Sequence, residues 1–154
     1  FGFATGSPEH KGYAAELEAT QASVKRMREA GIRVLVGGDY GLNITPHGTY
    51  AKELQYFTDY FGFSAGEALQ AATKHGGEAF MPDGSLGTLE AGKIADMVIV
   101  KGNPLEQIGV LQDADAFAAV IKEGQIYTGL LDNQSPHQKN AEQLNQLLGA
   151  RPSN

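Results

Sequence analysis

Cysteine is absent from this chain. That removes disulfide staples, thiolate nucleophiles and cysteine-based zinc sites together. Long apolar runs are lacking too, since none approaches the roughly 20 residues of a membrane-spanning helix, and no basic-then-apolar leader opens the chain. No cluster of lysine and arginine offers the positive footprint that a phosphate backbone requires, and the net charge of −6 points the same way. Neither a nucleic-acid nor a membrane partner is therefore expected. A soluble protein, with the cytoplasm as the favoured compartment, is the expectation, and a homo-oligomer is left open. No internal repeat is visible.

What is present suits a folded chain. The apolar share of 42% over 154 residues supports a packed core, and a domain of this size buries roughly 70% of the surface its unfolded form exposes. The first residue is Phe1 rather than Met: either the chain was processed or the sequence begins inside a longer protein, and the second is the expectation.

Residues 1–12 are rich in Gly, Ser and Pro and read as a loop. From Tyr13 to Ala30 the pattern turns helical, with Leu17, Val24 and Met27 on one face and Gly31 at the stop. Residues 32–36 form a short β-branched run of buried-strand length that ends at Gly37-Gly38-Asp39-Tyr40-Gly41. Tyr50, Leu54, Phe57 and Phe61 mark a second helix. Ser64 with Glu67 forms a capping box that opens a third, expected to run to about His75 and stop at Gly76-Gly77. Beyond Pro82 the texture changes to glycine-punctuated turns. Residues 95–100 then read as a strand, and 117–121 with 125–127 as a hairpin across Glu123-Gly124. Three segments are expected: 1–81, 82–130 and a polar tail, 131–154, whose Leu144, Leu147 and Leu148 suggest one short docking helix.

Asp39 is the strongest candidate for chemistry. A carboxylate directly after a buried strand, between glycines, is held at the strand's C-terminal edge, where α/β barrels build their active sites. Such an Asp can equally cap a turn, and position alone leaves the two readings open. His47 lies on the same strand-to-helix loop and could touch a substrate or metal, although a solvent-exposed loop histidine is commoner. His10 lies in a Gly/Ser/Pro loop. His75 sits at a helix C-terminus, where the dipole favours an imidazolium, and Glu53 in a first turn, where it favours a carboxylate. Tyr40 reads as packing and His137 as part of the tail. The stretch from Asp83 to Glu90 lacks the ligand alternation of a calcium loop. The Gly37–Gly41 run is too short for a dinucleotide fingerprint, so a small-ligand binding domain ranks last.

Three stretches resemble the amidohydrolase superfamily, in its imidazolonepropionase- and prolidase-like branch. Residues 34–41, Val-Leu-Val-Gly-Gly-Asp-Tyr-Gly, are similar to the eighth strand of its barrel with the terminal aspartate. Pro46-His47-Gly48 through Glu53-Leu54, then residues 63–73, look like the loop and helices that close the barrel. Residues 86–100, with Gly102-Asn103-Pro104 and residues 120–124, look like the return of the chain to a small β-sandwich. The resemblance implies an α/β fold, the C-terminal part of a (β/α)8 TIM barrel followed by strands of that sandwich. It implies a divalent metal centre of one or two ions, usually zinc, whose bound hydroxide attacks the carbon of a C–N bond. Asp39 would contact the metal and act as general base and then proton donor, and His47 would face the substrate.

The departures are specific. The family's His-x-His on the first strand, its bridging residue on the fourth and its histidines on the fifth and sixth have no counterpart among these residues. One carboxylate cannot hold a zinc ion that needs three or more ligands. The expectation is therefore a C-terminal part that works with a missing N-terminal portion of the barrel on a small-molecule substrate. The alternative is a non-catalytic structural fragment that needs such a partner segment.

Overall fold

The computed structural model describes residues 2–129. His137 and the leucines at 144, 147 and 148 lie outside the described residues. The chain divides into two compact units, Phe1–Gly76 and Gly77–Asn154.

The first unit opens with a helix that starts earlier than its apolar pattern suggests. Helix α1 spans Pro8–Glu29, and Ser7 caps it by accepting the His10 amide at 3.2 Å. Ser followed by Pro is a helix start in its own right: the hydroxyl serves an otherwise orphaned amide, and proline's fixed φ suits the first helical position. The loop expected over residues 1–12 therefore ends at Ser7. None of the residues of α1 is buried, and Leu17 and Met27 are 39% and 43% exposed. Its apolar stripe is present but uncovered among the described residues.

Helices α2 (Lys52–Tyr60) and α3 (Ala65–Gln70) hold the core of this unit: Leu54, Phe57, Ala68 and Ala71 are buried. Phe57 packs against Phe61 and Phe63, with ring centroids 5.9 and 4.7 Å away. Both bonds of the Ser64–Glu67 capping box are formed. Arg28 fastens α1 to this pair. Its guanidinium donates to the carbonyls of Phe61 and Gly62, just past the end of α2, and to Glu67 at 2.9 Å, and lies 4.0 Å over the Phe63 ring. A cation there meets carbonyls that have no partner inside the helix.

After α3 the helix widens into a π-turn, Ala71–His75, and continues as α4, Gly76–Phe80. The expected stop at Gly76-Gly77 does not occur. Gly77 serves a close approach instead: a Cβ there would lie 2.6 Å from the Leu86 carbonyl oxygen.

The clearest departure concerns residues 32–36. They form no hydrogen-bonded strand, and residues 32–40 carry no regular secondary structure. A strand exists only through ladders to its neighbours, and residues 32–36 belong to no sheet among the described residues. Ile32 and Leu35 are consequently 56% and 39% exposed.

The second unit carries an antiparallel sheet in the order β1 (Met97–Val100), β2 (Phe117–Lys122), β3 (Gln125–Gly129). Met97 pairs with Ile121 and Ile99 with Ala119, while Lys122 pairs with Gln125 across the hairpin. The two turn residues, Glu123 and Gly124, have φ of 51° and 77°. Two positive φ values make the mirror-image turn whose twist matches the flanking strands. Short 3-10 turns, Ile108–Gln112 and Ala114–Ala116, lead from β1 to β2 and bury Ile108 and Ala116. Among the described residues no helix is long and apolar enough to cross a membrane.

Candidate active site

The segment from Gly37 to Tyr50 is held by side chains. Glu53, half-buried in the first turn of α2, accepts the Gly37 amide on Oε1 and the Gly38 amide on Oε2, both at 3.0 Å. On the other side of Asp39, the Thr45 hydroxyl donates to the Asp39 carbonyl at 2.5 Å. Gly41 and Thr45 close a tight loop, with the Gly41 amide on the Thr45 carbonyl at 2.8 Å and the Thr45 amide on the Leu42 carbonyl at 3.1 Å. Gly41 sits at φ +110°, where its missing Cβ also leaves room for the His47 ring. A substitution there would be strained in both respects.

Asp39 is exposed. Its backbone is bound, but its carboxylate takes part in no hydrogen bond or ion pair among the described residues. The turn-capping alternative predicts the reverse, a carboxylate spent on nearby amides. The amide two residues on, that of Gly41, which such a cap would take, goes to the Thr45 carbonyl instead.

His47 is placed by Tyr50, whose hydroxyl lies 2.8 Å from Nδ1. The tautomer sets which group donates. Tyr40 packs edge-on to Tyr50 with centroids 4.7 Å apart and donates its hydroxyl to the Tyr50 carbonyl at 3.3 Å. Partial burial holds the Tyr40 phenol above its ordinary range, and the nearby Glu53 carboxylate adds to this. The phenol thus stays a neutral donor through physiological pH. Asp39 and His47 share the loop, but no hydrogen bond joins them among the described residues.

The other candidates lie apart. His10 belongs to the first turn of α1, beside a shallow apolar hollow with Phe3, Tyr13 and Leu17. His75 lines an open cleft of about 590 Å³ with Arg28, Arg33 and Glu67. This cleft meets the 32–36 segment at Ile32–Val34, the end opposite Asp39. Neither Asp39 nor His47 lines it. Glu53, for which the sequence offered only the helix dipole, is the residue that binds the two amides before Asp39. The available signal was a pair of glycine amides before Asp39 that needed an acceptor.

A metal centre needs more than this loop supplies. Among the described residues no group of three or more His, Cys, Asp or Glu side chains is gathered to hold an ion, and a zinc site takes three protein ligands or more. The described residues therefore do not make a complete metal site.

The amidohydrolase family model matches residues 9–127. Ochratoxinase from Aspergillus niger is 34% identical over 116 residues, which cover 75% of this chain and 22% of that protein. Its crystal structure superposes with a TM-score of 0.65 at 30% identity, over 73% of this chain and 25% of the other. An imidazolonepropionase from Symbiobacterium thermophilum is 30% identical over 110 residues, 71% of this chain and 26% of that protein. The crystal structure of a Xaa-Pro dipeptidase with bound methionine matches with a TM-score of 0.61 and 35% identity, over 71% of this chain and 25% of the other. The chain thus spans about a quarter of the length of these relatives.

Proposed function

The chain belongs to the amidohydrolase family, and from that premise we propose that it forms the C-terminal part of a hydrolase cleaving an amide, cyclic amide or peptide-like C–N bond. The observation that carries this reading is the state of Asp39. Its backbone is stapled on both sides, while its carboxylate is exposed and uncommitted among the described residues. A fixed backbone with a free acceptor suits a group that must move protons.

In this reading Asp39 takes a proton from the attacking water as the new C–O bond forms. It returns that proton to the leaving nitrogen as the C–N bond breaks, so the carboxylate ends as it began. His47, held by Tyr50, faces the substrate. Residues 32–36 serve as the eighth strand of a TIM barrel, and the strands of residues 82–130 join a β-sandwich. The remaining barrel strands come from a segment that this chain does not span. The divalent metal, with zinc the favoured ion, would draw Asp39 as one ligand and its other ligands from that segment. The names of the relatives make Xaa-Pro dipeptides and ochratoxin the first substrates to try.

The test uses the complete protein that carries this chain, assayed on Xaa-Pro dipeptides, ochratoxin and cyclic amides. Asp39→Asn is expected to lower turnover by about 10²–10⁴-fold, the usual worth of a positioned acid–base group. Near-normal hydrolysis by that variant would overturn the assignment. A second reading, a structural part that is inert alone, is favoured by the lack of a gathered ligand set among the described residues. Asp39→Asn in the complete protein separates the two: lost turnover makes this chain part of the site and full turnover leaves it a structural part, while stoichiometric zinc on the purified 154-residue chain would contradict the inert reading outright.

A further inference from the structure

The Glu53 carboxylate meets two consecutive backbone amides, those of Gly37 and Gly38, one on each oxygen. In an extended strand consecutive amides point to opposite sides. Both reach one carboxylate only if the chain leaves strand geometry here, so this contact marks where residues 32–36 stop and the Asp39 loop begins.

We infer that Glu53 is a positioning residue for Asp39, which it holds through the Gly37 and Gly38 amides. The inference rests on the reading of Asp39 as the acid–base carboxylate.

Three observations support it. The tether is needed, because two adjacent glycines are the most permissive backbone a chain can offer, and they directly precede Asp39. The tether is anchored, because Glu53 stands beside Leu54 and in the same helix as Phe57, which are 8% and 4% exposed. And the tether is matched, because Thr45 holds the carbonyl of Asp39 from the far side. Amide, amide and carbonyl together leave Asp39 little freedom except in its own side chain. A carboxylate accepting backbone amides makes the stronger, charge-assisted kind of hydrogen bond. Glu53 touches no reacting group in this account; it acts only through the backbone it holds.

The experiment uses the complete protein with ¹⁵N-labelled glycine and the dipeptide Ala-Pro as substrate, comparing the wild type with Glu53→Gln, Glu53→Asp and Asp39→Asn. Glu53→Gln keeps one acceptor oxygen and replaces the other with a donor. At least one of the Gly37 and Gly38 amide resonances should then move upfield and broaden, while that of Gly92 stays put. Turnover should fall by about 10–100-fold, the penalty of misplacing a reacting group by about an ångström, with KM within about twofold. Glu53→Asp, which keeps both oxygens, should recover part of the lost kcat and provides the comparison should the Gln variant not fold.

Unchanged Gly37 and Gly38 resonances in Glu53→Gln, or altered resonances with wild-type kcat, overturn the inference. So does a loss of activity in which KM rises as much as kcat falls and Glu53→Asp recovers nothing, since that is the pattern of general damage. If Asp39→Asn keeps its activity, the reading beneath the inference falls and takes the inference with it. If Asp39→Asn is inactive while Glu53→Gln works normally, only the inference falls.

Discussion

The loop from Gly37 to Thr45 and the sheet from Met97 to Gly129 satisfy their backbones in different ways. The sheet does so internally: β2 pairs with β1 on one side and with β3 on the other, and the β2–β3 connection is a two-residue turn. The loop borrows at its start, where the Gly37 and Gly38 amides go to Glu53, and is closed within itself by Thr45 only beyond that. Antiparallel strands joined by a hairpin find their partners nearby in sequence. A parallel barrel strand must find them across a crossover of a dozen residues or more. Residues 32–36 pair with no strand among the described residues, and Ile32 and Leu35 remain exposed. A structural region is thus complete where its partners are local, and a chemical region is complete only where distant ones are supplied.

That comparison can be broken most forcefully at Phe57. The helical unit has few buried apolar side chains among the described residues: Leu54, Phe57, Ala68 and Ala71. Phe57→Ala should cost roughly 3–5 kcal/mol, as deletion of a core aromatic does. Hydrogen exchange should show the loss in the amides of α2 and α3 and leave those of β1 to β3 protected. Equal loss of protection in the sheet would mean that the two regions are not energetically separate.

A smaller effect is expected at the hairpin. Gly124→Ala places a side chain at φ 77°, a conformation costing about 1–2 kcal/mol for other residues. Faster exchange should be confined to the β2–β3 ladder, with the activity of the complete protein unchanged. If turnover changes as well, the division between a structural sheet and a chemical loop is too sharp.

The smallest effect concerns pH. Glu67 is held below the usual carboxylate range, first by the Ser64 amide, then by the Ser64 hydroxyl and more weakly by Arg28. A depressed folded pKa contributes stability above the ordinary glutamate pKa and loses it as pH falls through the folded value. The side chain is exposed, so the contribution is modest. The difference in Tm between the wild type and Glu67→Gln should be present at neutral pH and close as the solution becomes acid. A difference independent of pH would remove the charged carboxylate from the account of the cap.

Legibility in the sequence followed the same line between local and distant partners. The Ser64–Glu67 box and the Glu123-Gly124 hairpin were readable because every participant lies within a few residues. The onset of α1 was readable from Ser7-Pro8 but was obscured by the glycines around it. Gly77 looks like a helix stop until the Leu86 carbonyl occupies the space of its missing side chain. The 32–36 run has the composition of a strand, but composition does not supply a ladder. At the site, Asp39 stood out because its flanking glycines mark it, whereas Glu53 did not. Its partners lie 16 and 15 residues away in the chain, and its place in a first helical turn offered a sufficient local explanation.

The central claim is that Asp39 is held by its surroundings for chemistry rather than for folding. The direct test measures turnover and thermal unfolding together for Asp39→Asn in the complete protein. The account predicts a fall in kcat of about 10²-fold or more with an unchanged Tm once metal is removed by chelation, because the carboxylate makes no bond that the folded loop depends on among the described residues. Wild-type turnover with a lowered Tm would contradict it and return Asp39 to the role of a turn residue.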